Sequence, residues 1–137
     1  MTFQSSAAVL NAMLDAWETE IGTTPVLKFF TGSKPANCAA ANSGSELADE
    51  TMVSNWADAA ASAIKALNST PIVVVSTATG TIGHYRLYKS DGTTCVDQGT
   101  VTVTGGGGDM TIDSTTVSAI GQNINVTAWS KNLTGHL

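Results

Sequence analysis

The sequence predicts a mainly β protein, an antiparallel β-sandwich or jelly roll that carries one α-helix near its amino terminus. Apolar residues recur at helical spacing near the start of the chain, whereas short alternating segments rich in Val, Ile and Thr fill the part from residue 71 onward. Gly, Asp-Gly and Asn separate those segments, as turns do between paired strands. Because 137 residues is close to the commonest domain size, we expect one domain over residues 1–137. The helix is expected at about residues 6–21 and the β-sandwich at about 25–130.

The amino-terminal helix is predicted from one apolar stripe, formed by Leu10, Met13, Leu14, Trp17 and Ile21. Ser5 or Ser6 can cap its first turn. Gly22 readily adopts the positive φ that often ends a helix. We therefore expect the helix to pack one face on the core and to leave its polar face in water.

Four segments follow the helix. The run VLKFFTG at 26–32 is short, aromatic and β-branched, which favours a strand, and SKPANCAAANSG after it is typical of a surface loop. SELADETMV is interpreted as a strand with Leu47, Thr51 and Val53 on one side. The alanine-rich NWADAAASAIKALN at 55–68 favours a helix.

The remaining segments predict six strands or strand fragments: PIVVV, TIGHYRLYKSDG, TTCVDQGTVTVTG, DMTID, STTVSAIGQ and NINVTAWS. Asp91-Gly92 predicts a turn between the second and the third. Alternation along the strands predicts an inward face made of Tyr85, Leu87, Val101, Val103, Met110, Ile112, Ile124 and Val126. It predicts an outward face made of Thr100, Thr102, Thr104, Asn123, Asn125 and Thr127.

Composition argues against several functional classes. Only 12% of residues are charged, against about 25% in typical domains, and the net charge is −5. The six basic residues are scattered, so we expect neither a nucleic-acid partner nor binding to an anionic membrane. The amino terminus has no basic segment followed by an apolar run, so synthesis in the cytosol is expected.

The glycine run Gly105–Gly108 matches no ligand-binding motif. No Lys-Ser or Lys-Thr follows it, as a phosphate loop requires, and a strand rather than a helix comes next. It resembles one copy of a calcium β-roll repeat, but Asp109 comes one residue early and that architecture needs stacked copies. We interpret the run as a hairpin connection.

The residue types that perform catalysis or hold metals lack the expected arrangement. Cys38, Cys95, His84 and His136 do not form paired zinc-ligand motifs, and the two cysteines can be free thiols or a disulfide. No G-x-S-x-G nucleophile motif occurs, and the acidic residues at 46–50 are typical of a solvated surface. The sequence therefore predicts no enzyme, no cofactor, no metal site and no small-molecule substrate.

Aromatic residues provide the candidate interaction sites. Trp17 belongs to the apolar stripe of the helix, whereas Trp129 lies on the outward phase of NINVTAWS and Trp56 precedes the alanine-rich segment. We take Trp56, Tyr88 and Trp129 as candidates for a protein interface or a sugar-stacking platform, against the alternative that the fold partly buries them.

The order of motifs LDAWETEIGTTPVLKFFTG, KPANCAAANSG, GTIGHYRLYKSDGTTCVDQGTVTVTGGGGDMTID and GQNINVTAWS resembles a family of small virion proteins of tailed bacteriophages. The resemblance covers about residues 10–130, without the segment from Trp56 to Thr70. It implies a β-sandwich or jelly roll that decorates or cements the capsid, and it assigns no catalytic residue.

From the resemblance we expect a capsid cement protein on the virion surface that bridges major capsid subunits, made in the host cytoplasm and assembled as a dimer or trimer. Two alternatives remain open at the level of the sequence. One is a structural protein of the tail or neck, and the other is a carbohydrate- or receptor-binding module on the virion.

Overall fold

The computed structural model describes residues 3–68 and 72–137, a mainly β protein with one α-helix and a mixed sheet. Helix α1 spans Ala7–Ile21, and a 3₁₀ turn spans Thr134–His136. The strands are β1 Val26–Thr31, β2 Glu46–Thr51, β3 Ile64–Ala66, β4 Ile72–Val75, β5 Gly80–Tyr88, β6 Cys95–Val103, β7 Met110–Ile112, β8 Thr116–Val117 and β9 Asn123–Asn132. Each predicted strand is confirmed at its place, apart from Pro71 of PIVVV, which lies outside the described residues.

Helix α1 begins and ends as its sequence predicts. The Ser6 hydroxyl accepts a hydrogen bond from the Val9 amide at 3.4 Å, and Gly22 ends the helix with a φ of 87°. Leucines 10 and 14 and Ile21 are buried, which confirms the apolar stripe, although Met13 at its edge is half exposed. The helix therefore packs on the sheet through one face.

The strands are hydrogen-bonded in the order β2-β1-β5-β6-β7-β9-β3, with β4 also paired to β9 and β8 to β5. An isolated bridge joins Ala48 of β2 to Ser76 beyond β4, and the Thr77 amide donates to the Leu47 carbonyl at 2.8 Å. These bonds bring β2 and β4 together, so the sheet curls around the core. The division into two facing sheets that a sandwich requires stays a prediction.

Strand β9 connects the two ends of this arrangement. Its residues pair with β7, with β4 and with β3, and all three pairings are antiparallel. A register shift in the β7 pairing sets Thr111 opposite Ala128 but Ile112 opposite Val126, which leaves Thr127 as the extra residue of a bulge. The bulge changes which side chains of β9 point inward after Val126.

The prediction of a wholly antiparallel sheet is wrong at one place, because β6 and β7 run parallel with Val101 opposite Met110. The glycine run is therefore not a hairpin. Parallel neighbours usually need a connection of a dozen or more residues, but here residues 104–109 carry the chain back beside β6 before β7 starts.

Glycine permits this short return. Gly105 and Gly107 have φ of 85° and 81°, and a Cβ on Gly106 would lie 2.7 Å from the Thr102 Cβ. The Asp109 carboxylate completes the return, because it accepts hydrogen bonds from the amide and the hydroxyl of Thr100, each at 2.8 Å. The backbone bond from Thr100 contributes most to the lowered pKa of Asp109.

The prediction of a helix at 55–68 is wrong. The chain there forms turns, an isolated bridge between Ala57 and Leu67, and the short strand β3. Ser62 and Ala63 have φ of 51° and 60°, which no α-helix contains. Tertiary contacts outweigh alanine's helix propensity here, since the Ala63 amide donates to the Asn11 side chain of α1 at 2.8 Å.

The predicted inward face is confirmed with one exception. Val103 is 44% exposed, although it lies opposite Ile112 of β7 at the end of β6. In β2, Leu47 is buried as predicted, but Thr51 and Val53 are exposed and Ala48 is buried instead. The register of β2 against β1 shifts between Phe29 and Phe30, which interrupts regular alternation.

Candidate functional site

The site with the most polar chemistry lies on the outer face of β1, β5 and β6, beneath residues 32–45, here called the cover loop. Strand β5 sends Tyr85 and Leu87 into the core and His84 and Arg86 to the opposite face. All four are buried, because the cover loop shields the outer face from water. The central strand thus separates an apolar layer from a polar one.

Arg86 holds the cover loop to the sheet. Its guanidinium donates to the carbonyls of Cys38 at 2.7 Å and Ala40 at 3.1 Å, and to the Asn42 side-chain oxygen. Its Nε donates to the Cys95 sulfur at 3.3 Å. Within residues 3–68 and 72–137, no carboxylate lies at ion-pair distance from this cation. Uncharged oxygens and a thiol therefore compensate for its loss of water.

Tyr88, a candidate for an exposed stacking platform, is buried in the same layer, so the alternative of burial by the fold applies to it. Its side chain is 4% exposed, and its hydroxyl donates to Asn42 Oδ1 at 2.7 Å. The Lys28 ammonium and the Arg86 guanidinium lie 5.5 and 5.7 Å from the ring centroid. Burial raises the pKa of the hydroxyl despite both cations. Neighbouring residues hold the ring, and its 4% exposure leaves too little area for a sugar to stack on it.

A cleft of about 450 Å³ opens between the cover loop and the start of β6. It is lined by Lys28, Cys38, Arg86, Tyr88 and Cys95, together with the backbone of neighbouring loop residues. Both cysteines are half-buried free thiols, so the alternative of a disulfide is not formed in this structure. The cleft combines positive charge with two sulfur nucleophiles.

His84 and Gln98 fasten the other end of the cover loop. The histidine Nδ1 donates to the Gly32 carbonyl at 2.9 Å, and the glutamine amide donates to the Pro35 carbonyl at 2.7 Å. Among the residues that the structure describes, their other polar atoms, His84 Nε2 and Gln98 Oε1, are buried without a hydrogen-bond partner. Burial lowers the pKa of His84, and the charges of Arg86 and Lys34 lower it further, although the bond to Gly32 opposes this.

The inner layer contains the tryptophan cluster, defined as Trp17, Trp56 and Trp129. Trp17 lies 5.4 Å from Trp56 and 5.3 Å from Trp129 between ring centroids, and the last two rings are 5.9 Å apart. Such spacings favour edge and tilted contacts between aromatic rings. The cluster connects helix α1 to the sheet.

Trp56 and Trp129 belong to this cluster, so the hypothesis that they are exposed interaction residues is wrong. Trp56 is 0% exposed and donates to the Gly22 carbonyl at 2.9 Å. Trp129 is 5% exposed, because the bulge at Thr127 returns it to the inner face. Its indole donates to the Tyr85 hydroxyl at 2.8 Å, and that hydroxyl donates to Asp97 at 2.9 Å. Neither ring can stack on an external sugar.

Lys65 ties helix α1 to strand β3. Its ammonium lies 2.7 Å from Asp15 and 2.5 Å from Glu18, and it donates to the Asp58 carbonyl at 2.8 Å. Burial disfavours the charged form of Lys65, but the bonds to the two carboxylates outweigh burial and raise its pKa. The alanine-rich segment thus contributes a buried cation to the helix interface.

A different surface is apolar and exposed. Val53, Val73 and Val75 are 65%, 42% and 46% exposed, and a groove of about 230 Å³ lies beside Val53 and Val73. Val73 and Val75 are two residues apart on β4 and so share its outward face. We call Val53, Val73 and Val75 the valine face.

Across the described ranges, no cluster of three or more His, Cys, Asp or Glu residues is placed to hold a metal ion. No helix in those ranges is long and apolar enough to span a membrane.

Sequence reasoning missed Arg86, Asn42 and the cover loop as one unit. The signal for Arg86 was present, since alternation from Tyr85 and Leu87 places a charged side chain mid-strand on the opposite face. The partners of Arg86 could not be found this way, because most are backbone carbonyls and any residue type carries them.

Comparison with known proteins finds no matching family model, no matching curated protein and no matching solved structure.

Proposed function

We propose that this chain is a structural virion protein of a tailed bacteriophage, a cement protein that binds the capsid and bridges major capsid subunits. In this proposal it has no enzymatic activity, it assembles as a dimer or trimer, and it acts on the capsid surface after synthesis in the host cytoplasm. A β-sandwich or jelly-roll relationship is part of the same proposal. The motif resemblance supports the family, and the valine face supports a binding role.

The valine face is the observation on which docking depends. The exposed side chains of the valine face lose unfavourable contact with water when a partner covers them. With few charges on the chain, covering the surrounding area removes few ions from water. Many copies on a symmetric shell would turn a weak individual contact into stabilisation of the whole particle.

The valine face is supported by a paired strand, which favours a preformed docking surface over a flexible one. Two residues of the valine face, Val73 and Val75, lie on β4, which pairs with β9, and the inward residue between them, Val74, is 0% exposed. A partner can therefore bind a preformed surface without ordering a flexible segment.

The alternative of a carbohydrate-binding module loses its support, because Trp56, Tyr88 and Trp129 are buried. A structural protein of the tail or neck would dock through the same valine face, but it would be present in fewer copies per virion. Quantitative mass spectrometry of purified virions separates the two, since a shell protein is present in far more copies.

The docking experiment uses empty capsid shells and the purified chain. We expect Val73→Asp to weaken shell binding at least about tenfold, because a carboxylate would be covered without a partner. Val103→Asp is the matched control, since Val103 is similarly exposed but lies on β6. Circular dichroism confirms that both variants fold. Equal binding of the two variants would refute the valine face, and absence of the chain from virions would refute the virion role.

A further inference from the structure

We propose that Cys38 and Cys95 are a redox-active pair that forms a reversible disulfide with low-molecular-weight disulfides such as glutathione disulfide. The bond would fasten the cover loop to the start of β6. This inference does not depend on the virion role, because it rests on the cleft alone.

The two cysteines come from distant parts of the sequence and meet at one cleft. Cys38 lies in the cover loop and Cys95 begins β6, and both side chains line the 450 Å³ opening. Arg86 binds both residues, with its guanidinium on the Cys38 carbonyl at 2.7 Å and its Nε on the Cys95 sulfur at 3.3 Å. Both thiols are half-buried, so a small reagent can reach them from the cleft.

The surroundings distinguish the roles of the two sulfurs. The thiolate is the nucleophile in thiol-disulfide exchange, so the sulfur that holds its proton more tightly attacks more slowly. The Cys95 sulfur accepts a hydrogen bond from Arg86 Nε at 3.3 Å and donates one to the Asp97 carbonyl at 3.5 Å. Burial raises the pKa of the Cys38 thiol, and its hydrogen bond to Cys95 raises it further. Cys38 is therefore the weaker attacking sulfur, so Cys95 attacks first and Cys38 keeps its proton until the second step.

The reaction balances in two exchanges. The Cys95 thiolate attacks one sulfur of glutathione disulfide, which forms a mixed disulfide and releases one glutathione thiolate. Cys38 then loses its proton to that thiolate and attacks the Cys95 sulfur. The protein disulfide forms, and the second glutathione leaves as a thiolate. Both cysteines are oxidised, and one glutathione disulfide is reduced to two glutathione molecules.

The first experiment incubates the reduced protein with glutathione disulfide and measures intact mass and free thiols after denaturation. We expect both thiols to disappear with a mass decrease of about 2 Da, and dithiothreitol to restore them. Stable glutathione adducts on both cysteines, or two thiols that remain titratable, would overturn the proposal.

The second experiment separates the two sulfurs with Cys38→Ser and Cys95→Ser. We expect the mixed disulfide to form at least about tenfold faster on Cys95, in the first variant, than on Cys38, in the second. Equal rates, or a faster Cys38, would overturn the assigned roles. Hydrogen exchange adds a structural readout, because oxidation should slow exchange in residues 32–45 of the wild-type chain. Unchanged exchange there would refute the fastening of the cover loop.

Discussion

The inner and outer faces of strand β5 are both buried, yet different forces hold them. On the inner face, Tyr85 and Leu87 pack against the apolar core that includes Trp129. On the outer face, His84 and Arg86 donate hydrogen bonds to backbone carbonyls of the cover loop. Burial of apolar area scales with the size of the side chains, whereas each hydrogen bond gives a modest net gain. The inner layer should therefore determine global stability, and the outer layer should determine whether the cover loop stays closed.

The largest expected effect comes from the inner layer. Trp129→Ala should lower the free energy of unfolding by about 3–5 kcal/mol, because it leaves a cavity in the tryptophan cluster and removes the donor to Tyr85. Urea unfolding followed by circular dichroism measures the loss. Val103→Ala, at an exposed position, should change stability by less than about 0.5 kcal/mol. A similar loss in both variants would contradict the assignment of Trp129 to the core.

An intermediate effect is expected from the outer layer. Arg86→Met should cost about 1–3 kcal/mol, because the carbonyls of Cys38 and Ala40 lose their donors. Hydrogen exchange should rise in residues 32–45 more than in the core strands. Lys89→Met is the control, since it removes a cation from an exposed pair with Glu20 and should change little. Uniformly faster exchange across the protein would contradict a separate outer layer.

The smallest effect concerns pH. Burial lowers the pKa of His84, so between that pKa and the ordinary value of about 6.5 the unfolded chain binds more protons than the folded one. His84 therefore contributes stability that is complete above about pH 6.5 and is lost as the pH falls through its lowered pKa. Unfolding at several pH values between 8 and 5 should show a shallower decline for His84→Gln. An identical decline would mean that His84 does not bind fewer protons in the folded state.

Local signals predicted those elements that local interactions determine. Helix α1 followed from its apolar spacing and its caps, and every strand except β3 followed from alternation and turn residues and was found where expected. The inward positions of Tyr85, Leu87, Met110 and Ile124 also followed from alternation. These features depend on neighbours a few residues away, which a sequence displays directly.

The errors arose where distant residues decide the outcome. The bulge at Thr127 exists because β7 pairs with β9 in a shifted register, and alternation alone placed Trp129 outward. The alanine-rich segment is not helical because contacts with α1 determine its conformation, including the ion pairs of buried Lys65 with Asp15 and Glu18. The parallel pairing of β6 and β7 follows from the glycine return, which resembles a hairpin in sequence.

The candidate site was predicted less well than the fold. Of its residues, only Tyr88 was taken as an interaction candidate, for a role that its burial prevents, and Cys38, Cys95 and His84 were considered only as metal ligands or as a disulfide. Arg86 acts through the carbonyls of Cys38 and Ala40, so its partners have no sequence signature. Three-dimensional proximity of two cysteines that are far apart in the chain was equally invisible.

The position of β9 also has a consequence for how the chain folds. It follows β3, β4 and β7 in the sequence and pairs with all three. None of these pairings can therefore form before β9 is in place, and those with β3 and β4 join residues that are far apart in the sequence. Rates of folding fall as the average sequence separation of contacts rises. We expect slow, single-step folding in which the early strands stay uncommitted until β9 is available. During that interval their apolar faces are open to neighbouring chains, and aggregation competes with folding.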